Sequence, residues 1–383
     1  MADFSLAIKG PRVVGLLLAS FFLTGGCAPS APDLEFTSSR VLPAGTRSFA
    51  VAPNGTALVV GAVGDVSRCP SSLVLGLDPR SLYFTGSMTR VSQWVGPIKF
   101  VSPEYGFVYG CWIDPETAAR EEWPMESARL ERLQLDGTRS VVSETIDAPI
   151  SSLSVSANRR LLVTSSSGPI ASQEKGECNI YSLDDGALLS SFSPTDVWQP
   201  TAVFVGNSER CLVVSRQRDA SVRGYLVEAT TGMIVHEAEI HDSGMEIYDL
   251  VASPDAGEIY IAFNSEVGRF TIHDDQFKYE RLNVASALKS NISPRWLAYD
   301  SDRGLLAIGE EIRGVPSGNA TSIFSTRTLN RLAPVLQVSG PMSFALDQKT
   351  GEKRLFMTPS LADPEQAVFG DLRMYFYVGQ LRG

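Results

Sequence analysis

The chain has 383 residues, 44% of them hydrophobic and 20% charged, with a formal net charge of −10. That length is more than one ordinary hydrophobic core organises. The acidic balance, with no Lys/Arg cluster to override it, repels nucleic acid and anionic lipid headgroups, so neither is an expected partner surface.

The first element in chain order is a sorting signal over residues 1–26. Lys9 and Arg12 give it a positive start, and Val13–Leu23 is an apolar run of eleven residues, too short for a stable membrane span. It ends in Leu23-Thr24-Gly25-Gly26-Cys27, which resembles a bacterial lipobox, although Thr24 stands where that motif usually has Leu. The resemblance implies cleavage before Cys27 and acylation of its sulfur and new amino group by palmitate-type chains. Two or three such chains anchor durably where one does not. An ordinary secretory signal with Cys27 as a bystander stays open. Residues 27–33 then form the lipidated Cys and a short Pro-rich tether, Ala28-Pro29-Ser30-Ala31-Pro32, that keeps the rest of the chain close to the membrane. By analogy with diderm lipoproteins, Ala28 rather than Asp implies the outer membrane; in a monoderm cell the address is the outer face of the cell membrane. Cleavage removes Lys9, Arg12 and Asp3 and leaves the mature chain one unit more negative.

Residues 34–383 are read as one all-β domain. A unit of about fifteen residues recurs seven times: an apolar strand, a polar turn, a second apolar strand, as in SSLSVSANRRLLVTS from Ser151 and TAVFVGNSERCLVVS from Thr201. Equivalent turn positions fall at Ala52, Ser102, Ser156, Val205, Ser253, Asp300 and Asp347, spaced 47 to 54 residues apart. That is the period of a four-stranded blade. Within a unit, alternation in Leu153, Val155, Leu161 and Val163 predicts a hairpin with one buried side. A third strand ends in a Gly turn (Gly137, Gly186, Gly232), and a fourth follows. The last unit stops after its third strand, at Leu381, while Leu34–Leu42 is a spare strand. Donating it to the last blade closes the ring and removes two exposed edges. The predicted fold is therefore a seven-bladed β-propeller of four-stranded antiparallel blades, closed by an N-terminal strand. Ile113–Ser127 lacks alternation and reads as a loop insertion. Eight blades, with this stretch a degenerate unit, and a β-sandwich are the structural alternatives.

Four cysteines remain beside Cys27: Cys69, Cys111, Cys178 and Cys211. An even number in an exported chain suggests two disulfides, Cys69–Cys111 and Cys178–Cys211; four free buried thiols stay open. None has the spacing of a zinc site. His236, Glu237, Glu239 and His241 read as the solvated face of an outer strand rather than a metal cluster, and His273-Asp274-Asp275 as a turn. The chain has no GxSxG, HExxH, phosphate-binding Gly loop or EF-hand pattern, so no catalytic residue is assigned.

Function on such a ring sits on the loops of one end. The end carrying the loops after second strands and before first strands gathers Asp65, Arg68, Trp94, Trp112, Asp114, Trp198, Arg216, Arg218, Glu266, Glu310, Glu311 and Arg313. Trp and Arg are common anchors of protein interfaces; packing of the Trp rings between blades is the alternative. Trp296, inside a first strand, reads as core. No cofactor is expected, apart from a structural divalent cation that Asp65, Glu310 and Glu311 would flank.

The units VASPDAGEIYIAF and VAPNGTALVVGA resemble blades of the YVTN/WD40-like, lactonase-like propellers over residues 34–381. That resemblance implies the fold and places no catalytic motif. The pairing of lipobox and propeller is also similar to the outer-membrane factor that scaffolds β-barrel insertion, though the Asp…Thr-Gly…Trp pattern of that family is missing from most blades; Thr230-Thr231-Gly232 matches its turn alone. The expected function is a monomeric, membrane-anchored, non-catalytic propeller that binds or scaffolds envelope proteins. A lactonase-like hydrolase using axial carboxylates and a divalent cation, and a glycan- or peptide-binding propeller, are the alternatives.

Overall fold

The third unit shows how the repeated hairpin is built. Ile150–Val155 pairs antiparallel with Leu161–Ser166, and Ser156 closes the turn between them. Its N–H bonds to the Leu161 carbonyl, and its Oγ accepts the Leu161 N–H at 2.9 Å. The turn polarity noted in the sequence thus satisfies backbone groups that the strands leave over.

The structure, a computed structural model, describes 27 strands between Asp33 and Val378, and connecting turns chiefly within residues 150–347, where most described side chains also lie. Among the described residues the strands form seven antiparallel sheets and no helix. Blade 1 starts with strand Thr46–Val51, blade 2 with Trp94–Phe100 and blade 3 with Ile150–Val155. Blade 4 comprises Val197–Phe204, Arg210–Gln217, Val222–Glu228 and Ile234–His241; blade 5 comprises Ile247–Ala252, Glu258–Phe263, Val267–His273 and Gln276–Arg281. Blade 6 starts with Ile292–Asp300. Blade 7 comprises Met342–Asp347, Glu352–Met357 and Gly370–Val378, and its fourth strand is Asp33–Leu42. The first strand of each blade touches that of the next, and those of blades 7 and 1 also meet, so residues 32–383 form one closed unit. The predicted closure is present: Leu34 lies opposite Tyr377 and Leu42 opposite Gly370.

Two expectations change. Blade 6 has three described strands, not four. Where its fourth would run, the ladder is reduced to isolated bridges, Thr321 with Leu336 and Phe324 with Arg331. Pro334, between them in sequence, brings no N–H to a continuous ladder. The second correction concerns burial. Leu153, Leu161 and Val163 are buried as expected, but so is Leu162, and in blade 4 all of Cys211–Ser215 is buried. Each blade is covered on both sides by its neighbours, so middle strands are apolar throughout rather than alternating. The outer strand Ile234–His241 keeps a wet face.

The Gly turns behave as predicted where described: Gly186 and Gly232 have φ of 76° and 70°. At the equivalent turn of blade 5, Asp274 takes the left-handed conformation at φ 51°. Its carbonyl accepts from Arg210 Nη1 at 2.8 Å, and Asp275 pairs with the same guanidinium at 2.5 Å, tying blade 5 to blade 4.

Cys178 and Cys211 are free thiols, which corrects the proposed bridge. They lie in one apolar cluster between blades 3 and 4, with Ile180, Phe192 and Tyr225. Burial raises the Cys178 thiol to about 12 and pushes Cys211 well above its usual value. Cys27, Cys69, the signal, the tether and most of the Ile113–Ser127 segment lie outside the described residues, as does the side chain of Cys111.

Candidate functional site

Each first strand enters the ring at one end and leaves at its hairpin turn. Six of the seven carry a register shift near the entry. In five of these a single residue is skipped in the pairing: Arg47, Ser151, Trp198, Tyr248 and Arg295. A β-bulge adds one residue to one strand and re-aims its side chain. The fold thus repeats one display position around the rim. Arg47, Ser151, Tyr248 and Arg295 each stand five residues before their hairpin turn position, whereas Trp198 stands seven before Val205.

Where side chains are described, the display positions pair aromatic rings with guanidinium groups. Arg216, at the end of the second strand of blade 4, lies over the Trp198 ring at 5.2 Å, and both are half-buried. Arg295 lies over the Tyr248 ring at 4.3 Å, bridging blades 6 and 5, and ion-pairs with Glu311. The Tyr248 hydroxyl donates to Glu246 at 2.7 Å, and its pKa is raised, mainly by desolvation. Such stacks hold long side chains in place and so fix the geometry of the rim.

Beside them sits a buried carboxylate. Glu266, whose side chain is 5% exposed, accepts the Tyr279 hydroxyl at 2.6 Å, meets His241 Nε2 at 2.9 Å, and pairs with Arg281 at 3.0 Å. Desolvation and this carboxylate raise the Tyr279 pKa. His241 also packs edge-on to Phe263 at 5.0 Å. That corrects the reading of His241 as part of a solvated face. Arg223 pairs with Glu237 at 2.7 Å and Glu239 at 3.8 Å on the surface, as expected. A register shift after Glu239 then turns His241 toward blade 5, while His236 packs edge-on to Phe277. Glu266 and buried Glu310 line a cleft of about 340 Å³ between blades 5 and 6, with Arg281, Asn283 and Pro294.

A second cavity, about 620 Å³, runs along the axis and is lined by first strands of all seven blades. Lys99 and Asp249 are its charged lining groups. Asp249 accepts the Leu250 N–H at 2.8 Å and, across the blade interface, the Leu297 N–H at 2.7 Å. Desolvation nevertheless raises its pKa to about 6. Lys99 opens onto the cavity yet is enclosed by strands, and that desolvation lowers its pKa.

Of the sequence-predicted residues, Trp198, Arg216, Arg218, Glu266, Glu310 and Glu311 lie at the entry end. Trp198 and Trp94 belong to first strands rather than to loops. Trp94 lies opposite Cys111 and Trp112 opposite Ser127; the side chains of both Trp lie outside the described residues, as do Asp65, Arg68, Asp114 and Arg313. Glu311 is committed to Arg295, and neither it nor Glu310 lines the axial cavity. Among the described residues no group of three metal-ligating side chains occurs. Trp296, read as core, is half-buried and lines the axial cavity. Tyr248 and Arg295 were missed; their common offset from the hairpin turn was the available signal.

No family model matches the chain, and no curated protein matches it in sequence. Solved structures do. Hydrazine synthase of Kuenenia stuttgartiensis superposes with a TM-score of 0.60 at 14% identity, covering 86% of this chain and 96% of that one. The β-propeller domain of Cps50 (Swd1) from Myceliophteria thermophila gives 0.62 at 12% identity, covering 89% and 99%. The fold is a β-propeller. At such identities the likeness extends to the fold alone.

Proposed function

We propose that the chain is an exported lipoprotein, anchored through Cys27, whose propeller binds or scaffolds another envelope protein with the entry-end rim. The observation that carries this is the repeated bulge position, which in three consecutive blades holds Trp198, Tyr248 and Arg295. Aromatic and Arg side chains dominate binding energy at protein interfaces, and rigid presentation spares them ordering entropy. The surrounding Glu246, Glu311 and Arg218 supply the polar rim that such patches have.

The test is a photo-reactive amino acid in place of Arg218, exposed on the same rim, irradiated in native cells, with adducts identified by mass spectrometry. A dominant envelope-protein adduct, lost when the same group is placed at Asn207 on the opposite end, supports the reading. Equal adducts from both positions, or none in correctly acylated protein, would sink it.

A further inference from the structure

An exposed apolar patch lies at the opposite end of the propeller. Leu188 is 55% exposed and Leu189 41%, at the start of the outer strand of blade 3; Met233 is 65% and Ile234 45%, at the start of the outer strand of blade 4. The segments that carry the two pairs touch each other. Ser190 Oγ donates to the Ala229 carbonyl at 2.5 Å, and Gly232 packs so closely on Ser191 that a Cβ there would meet its carbonyl oxygen at 2.9 Å. Among the described residues these four are the exposed large apolar side chains, and their grouping on two neighbouring blades marks a contact surface.

Strand direction says where this patch lies relative to the anchor. Outer strands start at the hairpin end and finish at the entry end. Asp33–Leu42 is the outer strand of blade 7, with Asp33 opposite Val378, so the tether also emerges at the hairpin end. Five residues separate Cys27 from Asp33, a reach of about 20 Å when fully extended. Blade 7 is three blades from blade 3 in one direction and three from blade 4 in the other, so tether and patch stand on opposite sides of the same end.

We infer that Leu188, Leu189, Met233 and Ile234 dock on the lipid bilayer, as a second contact beside the acylated N-terminus. Attachment at two opposite points holds the propeller axis upright and turns the entry-end rim away from the membrane. The short tether keeps the patch at high effective concentration over the lipid, so a weak apolar contact suffices. The neighbouring charges are mixed: Asp184 pairs with exposed Arg160 at 3.6 Å, and Asp185 is exposed. The contact is therefore apolar and does not need anionic lipid.

This inference rests on the lipoprotein reading, and the experiment separates the two. Residues 28–383 with an N-terminal hexahistidine are held on phosphatidylcholine vesicles through a nickel-chelating lipid. The vesicles contain a phosphatidylcholine with a diazirine in its acyl chain, and adducts are mapped after irradiation. The expected result is labelling at Leu188, Leu189, Met233 and Ile234, lost in the Leu188→Glu, Met233→Glu double variant while the melting temperature holds. Labelling spread evenly around the wall, or concentrated at Trp198 and Tyr248, overturns the inference. Palmitate incorporation at Cys27 in cells is scored separately, and its absence would refute the anchor without altering the vesicle result.

Discussion

Asp249 provides the sharpest test of the energetics at the axis. Its folded pKa of about 6 stands above the ~3.9 of an unfolded aspartate, because burial penalises the charge more than two backbone N–H groups and Lys99 repay. The folded state therefore binds this proton more tightly than the unfolded one. Stability from this group is fully present below about pH 4 and is lost as the pH rises to about 6. A difference of roughly two pH units at ~1.4 kcal/mol each gives about 3 kcal/mol. Asp249→Asn removes that dependence and leaves one of the Leu250 and Leu297 N–H groups facing an amide donor, at about 1 kcal/mol. The variant should match wild type within about 1 kcal/mol at pH 4 and exceed it by about 2 kcal/mol at pH 7.5. Urea unfolding of both proteins at the two pH values reads this, and other titrating groups cancel in the difference. A stability gap that is the same at both pH values would refute the desolvated carboxylate.

Other expected outcomes concern the anchor, the blade interfaces and the rim. Cys27→Ser should abolish palmitate labelling and move the protein from the membrane to the soluble fraction of cells. Glu266→Ala strands the Tyr279 hydroxyl and His241 and should cost about 3 kcal/mol in urea unfolding, against about 1 kcal/mol for Arg281→Ala, whose side chain is 69% exposed. Cys178 and Cys211 should resist iodoacetamide at pH 8 in folded protein and react after unfolding, because burial suppresses both thiolates. Trp198→Ala and Tyr248→Ala should each reduce partner cross-linking at least about tenfold at a temperature where circular dichroism shows the variant folded.

The repeat carried much of the architecture in plain view. Hairpin turns such as Ser156 and Gly232 are local devices whose chemistry can be read from a few residues, and a missing fourth strand at Leu381 called for a donor that only Leu34–Leu42 could supply. The rim was harder to read. Trp198 and Arg216 were found by residue type, whereas Tyr248 and Arg295 look like ordinary strand residues until the register shifts show them displaced. His241 was misread because one bulge after Glu239 inverts the face that strict alternation assigns. The Cys178–Cys211 bridge was inferred from even number alone, and parity carries no geometry.

By itself, then, the sequence determined the all-β class, the blade period and the closure by the N-terminal strand. These depend on periodicity and short-range chemistry, which a chain displays without folding. Only the tertiary structure decided that middle strands are buried on both faces, that blade 6 has three strands among the described residues, and that Arg295 of one blade stacks on Tyr248 of another. It also set Asp33 and the apolar patch at the same end of the propeller, since which end a residue reaches depends on strand direction around a closed ring.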